Sequence, residues 1–121
     1  MAKWQNDAML DAALNYIKNN AGTISVCNAQ PANNAEVATY LLAGTAVASG
    51  DFTLADGDSS GRKVTVAAKS GVSITASGTA SHIALNGAGT LLYVTTCTSQ
   101  VLTSGGSVDI PAFDVEIADA A

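Results

Sequence analysis

The feature that most constrains the fold is a series of short β-prone segments, separated by glycine-rich turns, that fills the chain after residue 22. In Arg62–Ala68, for example, Val64 and Val66 alternate with more polar residues. Such alternation is typical of antiparallel strands with one packed face and one face in water. Strands at this regular spacing are typical of sandwiches and barrels. The sequence therefore predicts a mainly β protein, an antiparallel β-sandwich or a jelly-roll-like barrel.

The predicted strands share a content of β-branched or aromatic residues and are bounded by turn residues. They are Thr23–Asn28, Leu42–Ala48, Phe52–Leu54, Arg62–Ala68, Val72–Ala76, Gly78–Leu85, Thr90–Cys97 and Phe113–Ile117. The segment Glu36–Leu42 stays open between a helical turn and a strand. Its Ala and Leu residues favour the helix, whereas Val37, Thr39 and Tyr40 favour the strand.

A helical periodicity precedes the strands. The residues Met9, Leu10, Ala13, Leu14 and Ile17 recur at the spacing that places apolar residues along one side of a helix. Gly22 follows two asparagines and is a typical stop signal. We therefore predict one amphipathic helix at the N-terminus.

The 121 residues suffice for one domain. No change of composition and no low-complexity linker divides the chain. We predict a single domain over residues 1–121, with the N-terminal helix in 1–20, a β domain in 23–117 and a short tail in 118–121.

Charge is unusually sparse. Only 12% of the residues are charged, whereas about 25% is usual. The net charge is −5 with five basic residues, so the clustered lysines and arginines of a nucleic-acid binder are missing and we predict no nucleic-acid partner. Because a lone small domain usually carries more charge for solubility, we expect part of the surface to be covered by other subunits, as in a homo-oligomer or a lattice.

Nothing in the sequence predicts a membrane segment. The chain has no run of about 18 apolar residues, and polar residues follow Lys3 where a signal peptide needs its apolar core. We expect a protein without a membrane partner that assembles in the cytoplasm.

One turn resembles a catalytic motif. Gly57–Gly61 matches G-x-S-x-G, which in hydrolases places the serine between a strand and a helix. Here a predicted strand follows, and a triad would require Ser59 and His82 to converge with Asp109 or Asp114. We therefore predict no catalytic residues and a protein that is not an enzyme.

The same turn partly resembles a calcium loop. Asp56, Asp58 and Ser60 stand at alternate positions, as in the first half of an EF-hand. The twelfth position is Ala67, so the bidentate acid is missing. We predict a hairpin loop with neither a metal nor a cofactor, and a weak cation site at these three residues stays open.

The two cysteines, Cys27 and Cys97, are too few for a disulfide framework and match no zinc-binding spacing. Each lies in a predicted strand. We predict buried free thiols, which pack as small apolar residues. A disulfide stays open if the two strands are neighbours.

Five stretches together resemble small virion structural proteins of tailed bacteriophages and prophages. They are Trp4–Ile17, Cys27–Pro31, Asp56–Val64, Thr79–Leu85 and Ile110–Asp114. The resemblance covers nearly the whole chain. It implies a β-rich, sparsely charged protein of the virion, for example a capsid decoration or cement protein that binds the major capsid protein of an assembled shell. The resemblance leaves open a neck, tail or fibre component, or another virion protein as the partner.

A carbohydrate-binding module is a further alternative. Such sites usually expose aromatic side chains, and aromatic residues make up 5% of this chain. Several of these six residues are expected in the core, so this alternative ranks below a particle component.

Two elements are candidates for contact with a partner. The first is the N-terminal helix with the tryptophan before it, which either packs onto the helix or anchors a neighbouring subunit. The second is the acidic strand near the C-terminus, which forms either a solvated face or a surface that orients a basic partner. The candidate residues are Trp4, Met9, Leu10, Leu14, Ile17, Asp114 and Glu116.

Overall fold

The computed structural model describes residues 7–57, 61–87 and 89–117. The chain forms two α-helices, one short 3-10 helix and nine β-strands within these residues. In chain order they are α1 (Asp7–Asn20), β1 (Thr23–Cys27), α2 (Asn34–Tyr40), β2 (Leu41–Ala46), the 3-10 helix (Ser49–Asp51), β3 (Phe52–Asp56), β4 (Arg62–Val66), β5 (Lys69–Ser73), β6 (Gly78–Gly87), β7 (Thr90–Leu102), β8 (Ser107–Ile110) and β9 (Phe113–Ile117). The predictions of a mainly β protein and of an N-terminal helix are confirmed.

All strand pairs are antiparallel, as predicted. The first sheet has the order β2-β1-β6-β7, the second β3-β4-β9, and the third contains β5 and β8. The register of the second sheet continues into the third, because Val66 pairs with Phe113 and, three residues further on each strand, Lys69 pairs with Ile110. The second and third sheets therefore form one interrupted layer opposite the first sheet.

The core lies between these two layers, in a sandwich-like arrangement. One cluster of buried side chains joins them. Its largest members come from both layers and are Ile24, Leu42, Leu85, Phe52, Val64, Val66 and Ile110. Alternation along each strand brings them to the inner face, since successive side chains of a strand point to opposite sides of the sheet.

Helix α1 contributes to the same core. Leu10 and Leu14 are buried, with 5% and 1% of their surface exposed, and Leu14 belongs to the central cluster. The helix ends where it passes β6, since Gly22 donates its N–H to the carbonyl of Asn86. Any side chain at Gly87 would place its Cβ 1.8 Å from the carbonyl oxygen of Asn20, so only glycine fits at this crossing.

Helix α2 covers the outer face of the first sheet. Its first turn is capped by Asn33, whose side chain accepts the N–H of Glu36, and Glu36 in turn accepts the N–H of Ala32. Val37 packs on Cys27 in a second, smaller buried cluster. The segment that the sequence left open thus divides into a helix up to residue 40 and a strand from residue 41.

Three strands differ most from the sequence prediction, and the others agree with it to within two residues at each end. Strand β8 (Ser107–Ile110) is not predicted, and β7 runs to Leu102 instead of ending at Cys97. Strand β5 covers Lys69–Ser73, with Gly71 at a φ of 66° inside it instead of in a turn before it. Because β5 and β8 are short and pair chiefly with each other, their formation depends on a partner distant in sequence.

Candidate functional site

The predicted contact residues of α1 have different environments. Leu10 and Leu14 are buried inside the protein's own core, so they are not available to a partner, and this part of the prediction is wrong. Ile17 is partly buried and packs against the same core. Met9 is 68% exposed and is available for contact. Trp4 lies outside the described residues.

A second row of apolar residues lies on α1 beside the buried one. Met9, Ala12, Ala13 and Tyr16 are all exposed, and their spacing of three, four and seven residues aligns them along the helix. We call these four residues the outer stripe of α1. Tyr16 is 57% exposed. The prediction of one apolar stripe is therefore incomplete, because apolar residues occupy two adjacent sides of the helix.

Ion pairs hold the outer stripe in a defined orientation. Arg62 at the start of β4 donates from Nε to Asp11 of α1 at 2.8 Å and from Nη1 to Asp56 of β3 at 2.6 Å. The hydrogen bonds to Asp11 and then Asp56 raise the pKa of Arg62 above its ordinary value. Leu14 on the same helix is buried in the core. The core contact and the Arg62–Asp11 ion pair together fix the position of α1 and its rotation about its own axis.

The predicted acidic surface is a mixed-charge face. Asp114 and Glu116 are exposed on the outer side of β9. Asp114 accepts a hydrogen bond from Thr65 at 2.8 Å and pairs with the Lys63 ammonium at 3.3 Å. These contacts, with the Thr65 hydroxyl first, hold the pKa of Asp114 below its ordinary value. Lys63 also lies opposite Glu116 in the strand register, so this face carries a cation next to its two acidic residues.

Strands β3 and β4 form a hairpin, and the turn between them begins at Gly57 and ends at Gly61. Gly57 donates its N–H to the carbonyl of Gly61 at 2.9 Å, and the Asp56 carboxylate accepts from Arg62. Strand β4 follows directly, so the prediction that a strand and not a helix comes after this turn is confirmed. The predicted candidates Asp58, Ser59 and Ser60 lie outside the described residues.

The other residues considered for a catalytic triad, His82, Asp109 and Asp114, form hydrogen bonds in separate parts of the fold. Nδ1 of His82 lies 2.7 Å from the Ser81 hydroxyl oxygen. Asp109 accepts the N–H of Gly71, and Asp114 bonds to Thr65 and Lys63 on the outer face. Within the described ranges no group of three or more His, Cys, Asp or Glu side chains is placed to hold a metal ion.

The two cysteines are free thiols on strands separated by β6. Burial, and then the neighbouring Cys97, raises the pKa of Cys27 to about 11. Burial also raises the pKa of Cys97. Both groups are therefore protonated at neutral pH, and neither is an activated thiolate.

A cleft opens into the core beside β7. It consists of two adjoining cavities of about 180 and 540 Å³, which share Ile83, Cys97, Thr98 and Pro111 in their walls. The narrower cavity reaches the core residues Val26 and Ile110, and the wider one is bounded by Phe113 and Asp114. We call this opening the β7 cleft. It separates the last strand of the first sheet from the segment that joins β8 to β9.

No protein-family model, curated protein or solved structure matches this chain. Of the described helices, neither has the length and apolar character needed to cross a membrane. The surfaces of the chain itself are therefore the guide to its function. Among the described residues, the large apolar side chains that are exposed are Met9 and Tyr16 in the outer stripe of α1 and Val101 on β7.

Proposed function

We propose that this protein is a structural component of a tailed-bacteriophage particle, a capsid decoration or cement protein that binds the assembled shell. The observation that carries the proposal is the outer stripe of α1, an exposed apolar row on a helix whose orientation is held by the core and by Arg62. The sparse charge of the chain supports the same function, and the bacteriophage particle is what the sequence resemblance implies.

The composition of the stripe suits a contact surface. Met9 is unbranched and adapts to an irregular neighbour, whereas Tyr16 combines an apolar ring with a hydroxyl that can bond at the rim of an interface. Between them, Ala12 and Ala13 allow a partner to approach the helix backbone closely. Because the helix is already ordered in the free protein, docking costs little conformational entropy.

A repeating lattice explains how so small a stripe is sufficient. A shell presents many equivalent sites, so simultaneous contacts strengthen binding beyond that of each contact alone. A protein that binds the assembled shell and not its free subunits stabilises the shell by mass action. The partner in this proposal is the major capsid protein, and the protein performs no chemistry. Its place of action is the virion, after assembly in the host cytoplasm.

The test is addition of the purified protein to phage particles that lack it. Wild type is expected to cosediment with the particles in many copies spread over the shell and to raise their disruption temperature. The double variant Met9→Lys/Tyr16→Lys places two charges in the stripe and is expected to lose cosedimentation. The matched control is the double variant Ala35→Lys/Ala38→Lys, which adds the same two charges at exposed positions of the other helix.

Circular dichroism establishes that each variant is folded. Undiminished binding of the double variant would remove α1 from the docking role. Wild-type protein found in few copies at the neck, tail or fibres would replace the decoration function by one at that station. Particles that never bind the protein, together with a positive glycan-array signal, would favour the carbohydrate-binding alternative.

A further inference from the structure

Strand β7 forms an open edge of the first sheet. One of its sides pairs with β6. In the part of the chain that the structure describes, the other side forms no backbone hydrogen bond. The strand is 13 residues long and contains no charged side chain. Such an edge presents a row of unpaired N–H and C=O groups and readily accepts another strand.

The other edge strands are protected. At β2, the N–H groups of Thr75 and Ala76 both donate to the carbonyl of Leu42, and Ala43 forms a bridge with Ile74. Each of the remaining edge strands carries at least one charge, which discourages pairing with another chain. These charged residues are Asp56 on β3, Lys69 on β5, Asp109 on β8, and Asp114 and Glu116 on β9.

The β7 cleft lies on the same side of the molecule. Its walls include Val26 and Ile83, which belong to the core, together with Cys97 and Thr98 of β7 itself. A strand that extends the first sheet beyond β7 covers the mouth of this cleft. Strand addition at β7 therefore satisfies backbone groups and removes apolar surface from water at one place.

We propose that β7 is a self-association edge, at which a second copy of this chain adds its own β7 antiparallel across a two-fold axis. The two four-stranded sheets then become one continuous sheet of eight strands. This inference goes beyond the proposed function and does not depend on it.

Charge and symmetry favour a second copy as the occupant. A two-fold contact needs only one self-complementary surface, and an antiparallel strand pair provides it. Each copy carries a net charge of −5, so most contacts between copies would bring like charges together. Strand β7 itself carries no charged side chain, and the charged residues in the walls of the cleft beside it are Asp109 and Asp114. A strongly charged partner, in turn, would find no complementary group along this strand.

The pairing of β7 with β6 restricts where along β7 the two-fold axis can lie. The pairing shifts between Leu85 and Asn86 and again between Ala80 and His82, which leaves Tyr93–Thr96 as the regular part of β7 at its centre. A two-fold axis perpendicular to the sheet keeps each side chain on its own face, so it brings one residue against its own counterpart. We expect this residue to be Val94 or Thr95.

The first experiment measures the mass of the purified protein as a function of concentration by analytical ultracentrifugation. Wild type is expected to form a dimer. Thr96→Lys places two ammonium groups near the axis and is expected to weaken the dimer by about tenfold or more. The matched control Thr53→Lys adds the same charge at an exposed threonine of β3 and is expected to leave the dimer unchanged. Thermal unfolding checks that both variants are folded.

The second experiment locates the axis. In a Cys97→Ser background, in which the remaining Cys27 is buried, one cysteine at a time is introduced as Val94→Cys, Thr95→Cys or Thr96→Cys, followed by mild oxidation. Directly opposed residues of an antiparallel pair lie about 4.5–5.5 Å apart between Cα atoms, a separation that a disulfide spans. The cysteine at the axis, Val94→Cys or Thr95→Cys, is expected to form a covalent dimer more readily than the cysteines at the other two positions.

Three results would overturn the inference. They are a monomer at every concentration, a dimer that Thr96→Lys does not weaken, and a dimer that only the Met9→Lys/Tyr16→Lys variant dissociates. No phage particle is present in these measurements, so their outcome is independent of shell binding.

Discussion

Replacing Leu14 by alanine tests whether α1 is part of the core or a detachable docking arm. The side chain is 1% exposed and belongs to the cluster that joins the two layers. Truncation of a buried leucine costs the transfer free energy of the lost methyl groups and leaves a cavity, together about 3 kcal/mol. For a domain of this size, a loss of that magnitude lowers Tm by about 12 °C.

The assay is equilibrium unfolding in urea, followed by circular dichroism, with thermal unfolding as a second measurement. Met9→Ala is the matched control on the same helix, because Met9 is 68% exposed. Its expected effect is within about 0.5 kcal/mol of wild type. At equal slope of the free energy against urea, the difference between the two midpoints reports the contribution of Leu14.

A Leu14→Ala protein that unfolds within about 1 kcal/mol of wild type would refute the placement of α1 in the core. The same result, combined with lost shell binding, would restore Leu14 as a contact residue. If the placement holds, deletion of residues 1–20 exposes the core and destabilises the β domain. Point substitutions in the outer stripe are then the proper probe of docking.

Two further predictions follow from single contacts. The pKa of Asp114 lies below its ordinary value, so this carboxylate stabilises the fold above the pKa of the unfolded chain, near 3.8, and the contribution is lost as the pH falls through the lower folded value. Thr65→Val is expected to raise the NMR titration midpoint of Asp114, and an unchanged midpoint would contradict the hydrogen bond. Gly87→Ala is expected to destabilise the protein by more than about 2 kcal/mol, because its Cβ would overlap the Asn20 carbonyl. Gly50→Ala, with open space around it, is the control in the same urea assay, and equal effects would contradict the close crossing.

The sequence contains local signals for some features of the candidate surfaces. Asn33 followed three residues later by Glu36 is a helix-start signature, and it would have assigned the open segment to a helix. Tyr16 and Met9 stand seven residues apart, which places them on one side of a helix. Both signals are local, since helix caps and helix faces depend only on residues a few positions apart.

Other features had no local signal. Neither Asp11 nor Arg62 indicates its partner, which lies 51 residues away in the chain. The strand β8 is recognisable only once β5 lies beside it. Whether β7 lies inside a sheet or at its edge depends on strand order, and strand order is a property of the whole fold.

The sequence by itself determined the periodicity of the N-terminal helix, the existence of most strands, the positions of most turns and, for a clearly alternating strand such as β4, the face that enters the core. These depend on alternation and on near-neighbour spacing, which the order of residues specifies directly. Only the tertiary structure decided which of two adjacent apolar rows on α1 is buried, which charges pair, and which sheet edge stays open. Those outcomes depend on which distant segments meet, because burial and pairing are properties of both partners in a contact.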